Sequence, residues 1–153
     1  MSVAKTKIRL SRKMIDAAQL AAANVPKPVG GWIKAFQETI GFSAVVLAER
    51  LGVSRNSIYK AIENERTGAI SLNQLSKIAE AMGGKLVYAI VPADGAVEDI
   101  VLNQARKKAR KIVSRTWAHM AMEEQSEGLE TKEERIEQMA REMASEMPKD
   151  LWK

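Results

Sequence analysis

The sequence predicts a mainly α-helical protein with a single β-strand. Apolar residues recur at helical spacing along most of the 153 residues. Serine or threonine precedes several of these segments, as the N-cap residues of helices do. One continuous apolar run, residues 85–91, is rich in β-branched residues and is typical of a strand. Because aromatic residues make up only 5% of the chain, we expect a core of aliphatic residues and methionine.

The composition excludes several classes of function. The chain has no cysteine, which excludes disulfides, thiolate metal sites and cysteine nucleophiles. Its single histidine, His119, is too little for a zinc site or a Ser/His/Asp triad. We therefore expect no enzyme, no metal and no cofactor. No apolar run approaches the ~20 residues of a membrane span, so we expect a cytoplasmic protein without a membrane partner.

The charge is unevenly distributed along the chain. Residues 1–92 carry 13 Lys+Arg and 6 Asp+Glu, a net charge of +7, whereas residues 119–153 carry 5 and 10, a net charge of −5. A basic excess favours binding to nucleic acid, and an acidic segment is repelled by it. Each charged run taken alone is equally typical of a solvated helix face.

The N-terminal residues 1–29 are predicted to form a helix over 8–23 with a basic start, followed by a linker. The linker contains Pro26, Pro28 and the Gly30-Gly31 pair, which cannot continue a helix. A short helix over 32–40 then ends at Gly41, a residue type that favours the left-handed C-terminal cap.

Residues 30–84 carry the pattern of a helix-turn-helix. Ser43, Ser54 and Ser71 are predicted to cap helices over 44–51, 55–65 and 72–82, and Gly52 permits a tight turn between the first two. We expect the apolar residues Leu47, Ala48, Leu51, Val53, Ile58 and Ala61 to face inward. In such a pair the second helix enters the DNA major groove.

The exposed side of that second helix supplies the candidate DNA contacts. They are hydrogen-bonding residues, and no acidic residue interrupts them before Glu63. Candidate contacts to DNA are Ser43, Ser54, Arg55, Asn56, Ser57, Tyr59 and Lys60, and candidate contacts to phosphate are Lys34, Arg66 and Thr67.

Residues 85–92 are predicted to form a strand buried on both faces, which ends at Pro92. A lone strand cannot satisfy its own backbone hydrogen-bonding groups. We therefore expect it to pair with the same strand of a second copy in a homodimer. The predicted dimerisation residues are Leu86, Val87, Tyr88, Ala89, Ile90 and Val91.

Residues 93–153 are predicted to form a C-terminal helical region. One apolar stripe runs from Val97 to Met120, and Thr131 with Glu134 forms a capping box before a second helix that Pro148 stops. This acidic, Met-rich pair of helices either packs on the domain as a cap or binds a protein partner. We expect Trp32 and Trp117, which lie on apolar stripes, to be core residues.

A family resemblance rests on Ser43, Leu47-Ala48, Leu51-Gly52-Val53-Ser54 and Ile58. With these residues, the segment 32–82 resembles the Xre/Cro-type (lambda-repressor-like) helix-turn-helix of phage repressors and antitoxins. The resemblance implies binding to double-stranded operator DNA. Two residues depart from the pattern, since Ala44 stands where Xre domains usually have glutamine and Ile62 where they often have glutamate.

A wider resemblance rests on Gly30-Gly31-Trp32-Ile33, Gly68-Ala69-Ile70-Ser71-Leu72, Leu86-Val87-Tyr88-Ala89-Ile90-Val91-Pro92 and the basic segment 105–110. These elements are similar to the mobile mystery protein A family, which is encoded on mobile elements beside a Fic-domain protein. The resemblance implies an antitoxin that represses its own operon and neutralises a Fic adenylyltransferase toxin.

Inhibitors of Fic proteins resemble one another in a Ser/Thr-x-x-x-Glu-Gly/Asn helix. Ser126 to Glu130 match its first five positions, and Thr131 replaces the last. The candidate residues for toxin binding are Ser126, Glu130, Ile136, Met139 and Met143. The alternatives are a protein-interaction inhibitor whose helix-turn-helix does not read DNA, and a repressor of a phage or mobile element without a toxin partner.

Overall fold

The computed structural model describes residues 3–122 and 131–153, which form seven α-helices. The helices are α1 (Val3–Ala22), α2 (Trp32–Thr39), α3 (Ala44–Leu51), α4 (Arg55–Thr67), α5 (Leu72–Ala81), α6 (Val97–Met122) and α7 (Lys132–Glu146). The predicted mainly helical fold is confirmed. Within the described ranges, no helix has the length and apolar character needed to cross a membrane.

The chain divides into two compact units. One is Ala21–Ala89, which contains α2 to α5, and we call it the central unit. The other, the terminal unit, combines the described residues up to Leu20 with those from Ile90 onward, and so contains most of α1 with α6 and α7.

Capping residues set the helix boundaries in the central unit. Ser43, Ser54 and Ser71 precede α3, α4 and α5, and each hydroxyl oxygen accepts a hydrogen bond from the amide three residues later, at 3.2, 3.2 and 3.1 Å. Gly52 and Gly68 end α3 and α4 with φ angles of 65° and 81°. Glycine adopts this left-handed conformation without steric cost. The three predicted serine caps are confirmed.

The helices α2 to α5 pack around one hydrophobic core. Leu47 of α3 and Ile58 of α4 are almost completely buried, and the small residues Ala48 and Ala61 beside them let the two helices approach closely. These four residues face inward as predicted. The rest of the buried core consists of Ile33, Ile78 and Met82.

A buried carboxylate joins α4 to α2. Glu65, near the end of α4, is 6% exposed, and its two oxygens accept hydrogen bonds from the amides of Trp32 and Ile33 at 2.6 and 2.9 Å. Amides at a helix start have no acceptor within their own helix. Gly31 precedes them with φ 87°, and a Cβ at Gly31 would lie 2.8 Å from a Glu65 oxygen. Glycine at this position therefore leaves room for the carboxylate.

In the terminal unit, α6 and α7 pack through small residues. Ala105 and Ala109 of α6 and Ala140 of α7 are fully buried, so the two helix backbones lie close together. Ile136 of α7 is 2% exposed in the same contact. Burial of an aliphatic side chain contributes about 1.5–3 kcal/mol, so this apolar contact is what holds the pair.

Ion pairs border this contact. Arg106 of α6 donates to both carboxylate oxygens of Glu137 on α7 at 2.8 Å. These hydrogen bonds, and a weaker one from Arg141, lower the pKa of Glu137 to about 2, so the carboxylate is ionised at neutral pH. Two more basic residues of α6 have acidic partners: Lys108 pairs with Asp150 at 2.6 Å, and Arg110 pairs with Glu133 at 3.5 Å.

The first helix begins earlier than predicted, at Val3, and none of its residues is buried. Two of its contacts are polar. Arg12 pairs with Glu98 at 3.2 Å, and the Gln19 amide donates to the carbonyl oxygen of Gly95 at 2.9 Å. Side-chain hydrogen bonds of this kind contribute little net stability, so these two contacts alone hold α1 only weakly.

The structure does not contain the predicted strand at 85–92. Residues 85–91 belong to neither helix nor strand, and Val87, Tyr88 and Ile90 are 77%, 69% and 88% exposed rather than buried on both faces. The physical reason is that, in the described ranges of a single chain, no second strand lies beside them. β-branched composition favours a strand only where a partner is available.

Two apolar residues predicted to face inward are instead exposed. Trp32 is 47% exposed and Val53 is 45% exposed. Both lie next to helix starts, where the helical repeat does not yet fix the direction of a side chain. Trp117 is half-buried against the contact between α6 and α7, which agrees with its predicted core position.

Candidate nucleic-acid interface

The candidate interface is built on α3, a short turn and α4. The turn closes through Val53, whose amide donates to the carbonyl oxygen of Ala48 at 3.0 Å, and through the left-handed Gly52. Ser54 then has extended backbone angles and caps α4. Two helices joined by so short a turn have the geometry of a helix-turn-helix.

The buried side of α4 determines which residues face solvent. Ile58, Ala61 and Glu65 are buried at a spacing of three to four residues, so the opposite side of the helix is free. Asn56, Tyr59 and Lys60 lie on that opposite side, and Arg55 and Ser57 are exposed beside them in the first turn. The structure therefore brings these five together in the first two turns of one helix. The predicted contacts Ser43 and Ser54, also exposed, are the N-caps of α3 and α4.

Two contacts restrict the side chains at the start of α4. The guanidinium carbon of Arg55 lies 6.0 Å from the centre of the Tyr59 ring, within the range of a cation–π contact. The hydroxyl oxygens of Ser54 and Ser57 are 2.8 Å apart and share one hydrogen bond. Arg55 therefore has a preferred orientation, and a guanidinium can donate two parallel hydrogen bonds to a guanine edge.

The first acidic residue of α4 is neutralised within the helix. Both nitrogens of Arg66 that face Glu63 donate to its carboxylate, at 2.9 and 2.6 Å. The hydrogen bond lowers the pKa of Glu63 and raises the pKa of Arg66. Because of this pairing, the negative charge closest to Lys60 along the exposed face is offset.

The three predicted phosphate contacts have partners of their own. Arg66 is held by Glu63, the Thr67 hydroxyl donates to the carbonyl oxygens of Glu63 and Asn64 at 3.1 and 3.3 Å, and Lys34 lies 3.9 Å from Glu38. Arg66 and Thr67 are also about 17 Å along the helix axis from Arg55. These residues are therefore less available for phosphate than the residues of the first two turns.

The two residues that depart from the Xre pattern pack against the core. Ala44 begins α3 and Ile62 lies in the middle of α4, and both are partly buried there. Beside Ala44, Val45 and Val46 are 45% and 39% exposed. The start of α3 thus presents an apolar surface rather than a polar one, a feature that sequence spacing did not reveal.

The candidate toxin-binding residues fall into two groups. Ser126 and Glu130 lie outside the described residues. Ile136, Met139 and Met143 belong to α7 and pack against α6, with Ile136 buried and the two methionines partly buried. Their side chains serve the contact within the terminal unit.

Comparison with known proteins matches part of this chain to a family. Residues 34–88 match the family described as helix-turn-helix (HTH_3), whose members are DNA-binding transcription regulators and are generally not enzymes. No curated protein and no solved structure matches the chain. The match covers α2 to α5. It does not show membership of the mobile mystery protein A family. Residues 34–88 therefore constitute an Xre-type helix-turn-helix domain.

Proposed function

We propose that this protein is a transcription regulator that binds operator DNA as a homodimer and represses its own operon. The observation that carries the proposal is the exposed face at the start of α4. Arg55, Asn56, Ser57, Tyr59 and Lys60 are exposed together there, and the first carboxylate of the helix is paired with Arg66. Side chains of these types hydrogen-bond to base edges and phosphates in the major groove.

A homodimer would double this face. Two recognition helices on one side of the duplex lie about 34 Å apart and read an inverted repeat. The segment Leu86–Val91, with its exposed apolar side chains, is our proposed site of pairing between the two copies. Pairing would supply the second strand that the segment lacks in the described ranges of one chain.

The test is a salt titration against the DNA upstream of its own coding sequence. Each phosphate contact contributes about 0.9 to the slope of log affinity against log salt. We expect an affinity that falls steeply between 50 and 200 mM salt and a clear preference for the upstream DNA over a scrambled duplex of equal length. Absence of binding at low salt would eliminate the repressor function.

We also propose that the protein acts as an antitoxin that binds a Fic-domain adenylyltransferase. The support is the sequence resemblance together with the net charge of −5 over residues 119–153. Ion pairs reduce the charge that is available to a partner, because Glu133, Glu137 and Asp150 already pair with basic residues of α6. Exposed carboxylates that remain on α7, such as Glu142 and Glu146, are the ones offered to a basic partner.

Co-expression with the product of the gene adjacent to its own tests the antitoxin function. We expect a complex that survives size-exclusion chromatography and that the DNA-contact variant Arg55→Ala/Lys60→Ala still forms. A complex without operator binding would favour the alternative of a protein-interaction inhibitor with a non-reading helix-turn-helix. DNA binding without a complex would favour a phage or mobile-element repressor without a toxin.

A further inference from the structure

An apolar stripe on α2 is left uncovered. Trp32, Phe36 and Ile40 follow one another at intervals of four residues, which places them on one side of the helix. They are 47%, 41% and 42% exposed. The stripe carries no charge, and the charged residues Lys34 and Glu38 lie on the opposite side of α2 by the helical repeat.

The chain that leaves α5 passes directly beside this stripe. A Cβ on Gly84 would lie 3.3 Å from the tip of the Phe36 ring, so the backbone at Gly84 approaches the ring closely. The next residues include Val87 and Tyr88, which are 77% and 69% exposed. We call the α2 stripe together with residues 86–89 the α2 surface. These residues are uncharged, and the exposed Lys85 lies between Gly84 and residues 86–89 in the chain.

The backbone of this segment also has unused hydrogen-bonding capacity. Residues 85–89 take part in no backbone–backbone hydrogen bond in the described parts of the chain. Unpaired backbone groups next to exposed apolar side chains favour addition of another extended segment.

We propose that the α2 surface is covered by the α2 surface of a second copy, so that α2 is part of the dimer interface. This inference rests on the proposed homodimer. A two-fold axis would bring each segment 86–89 beside its equivalent, so that the backbone groups facing the partner pair. The same axis would bring the two apolar stripes into the interface. Because the residues of the α2 surface are themselves uncharged, they do not repel their equivalents in a second copy, and the charge that adjoins them in the chain is that of Lys85.

The size of the surface fits this occupant. A large side chain has an area of about 200 Å², and at the observed exposures Trp32, Phe36, Ile40, Val87 and Tyr88 leave roughly 550 Å² uncovered per copy. Complete burial of this area in both copies would give about 1,100 Å², just above the roughly 1,000 Å² minimum for a specific interface.

The test is sedimentation equilibrium of the full chain without DNA. Ile40→Glu places a charge in the α2 surface, and we expect the dimer dissociation constant to rise at least tenfold. The matched control is Leu72→Glu, which introduces the same charge at an aliphatic residue that is 53% exposed at the far end of α5. We expect the control to change the dissociation constant less than twofold. Circular dichroism and thermal unfolding verify that both variants fold.

A second variant, Val87→Pro, addresses the backbone. Proline lacks the amide hydrogen that strand pairing needs, and an exposed, non-helical position tolerates it. We expect it to weaken the dimer as Ile40→Glu does. A wild-type dimer that neither variant weakens would overturn the inference and leave the proposed dimer intact. A monomeric wild type would overturn both the inference and the proposed dimer. Binding of the monomer to a single operator half-site would still test DNA binding by the helix-turn-helix.

Discussion

Replacing Glu65 with alanine is expected to destabilise the protein by about 2–4 kcal/mol, with the loss confined to the central unit. The substitution removes the only acceptor seen in the described residues for the Trp32 amide and the Ile33 amide. Each hydrogen bond to a charged group contributes about 1.5–3 kcal/mol, and a buried donor without an acceptor incurs a desolvation penalty. Trp32 is half-exposed, so water can reach part of the space left by the carboxylate and hydrogen-bond to the freed amides. This limits the loss of stability.

Urea unfolding followed by circular dichroism measures this effect. Glu65→Gln retains one side-chain oxygen in the same place and should fall between the wild type and the alanine variant. Glu49→Ala is the control, since Glu49 is an exposed glutamate of α3 in the same unit, and its unfolding midpoint should match that of the wild type. If Glu65→Ala and Glu49→Ala were equally stable, the carboxylate would not be what holds α2 against α4.

The role of Glu65 shows where sequence patterns reach their limit. The capping serines were predictable because each cap and its amide are three residues apart. Glu65 and the amides it caps are 32 and 33 residues apart, so no local pattern connects them. The one local signal is Gly31 immediately before α2, since its missing side chain leaves space for the carboxylate.

Burial was predictable in the middle of helices and not at their ends. Leu47 and Ile58 have helical neighbours on both sides, and the apolar repeat places them in the core correctly. Trp32 and Val53 precede or begin a helix, and whether they are covered depends on which element lies opposite. In the proposed dimer, the exposure of Trp32 and of the segment after α5 has the same cause, because a second copy covers both.

The structure also accounts for part of the acidic charge of the C-terminus. From the sequence, a net charge of −5 over residues 119–153 points to a basic partner. In the structure Glu133, Glu137 and Asp150 face three basic residues of α6. Part of the negative charge of residues 119–153 is therefore offset by the basic residues of α6, and less of it remains for a partner.

The ion pair within α4 is Glu63–Arg66, and no described carboxylate pairs with Arg55 or Lys60. Replacing these two basic residues is expected to have the largest effect on function. Arg55→Ala/Lys60→Ala should lower the affinity for the upstream DNA at least 100-fold. Loss of a bidentate arginine contact to guanine is worth about 1–3 kcal/mol per half-site, and loss of a lysine contact to phosphate reduces the salt slope by about 1. Both side chains are exposed, so thermal unfolding should stay at the wild-type midpoint.

Fluorescence anisotropy with upstream and scrambled duplexes separates the two contributions. The single variant Arg55→Ala should bind both duplexes alike, because it loses the reading of a base, whereas Lys60→Ala should weaken both to a similar extent. The control Lys27→Ala/Lys77→Ala removes the same two charges from exposed positions of the central unit away from α4. If the control lost as much affinity as Arg55→Ala/Lys60→Ala, attraction to DNA would arise from overall charge, and α4 would not be the element that reads the operator.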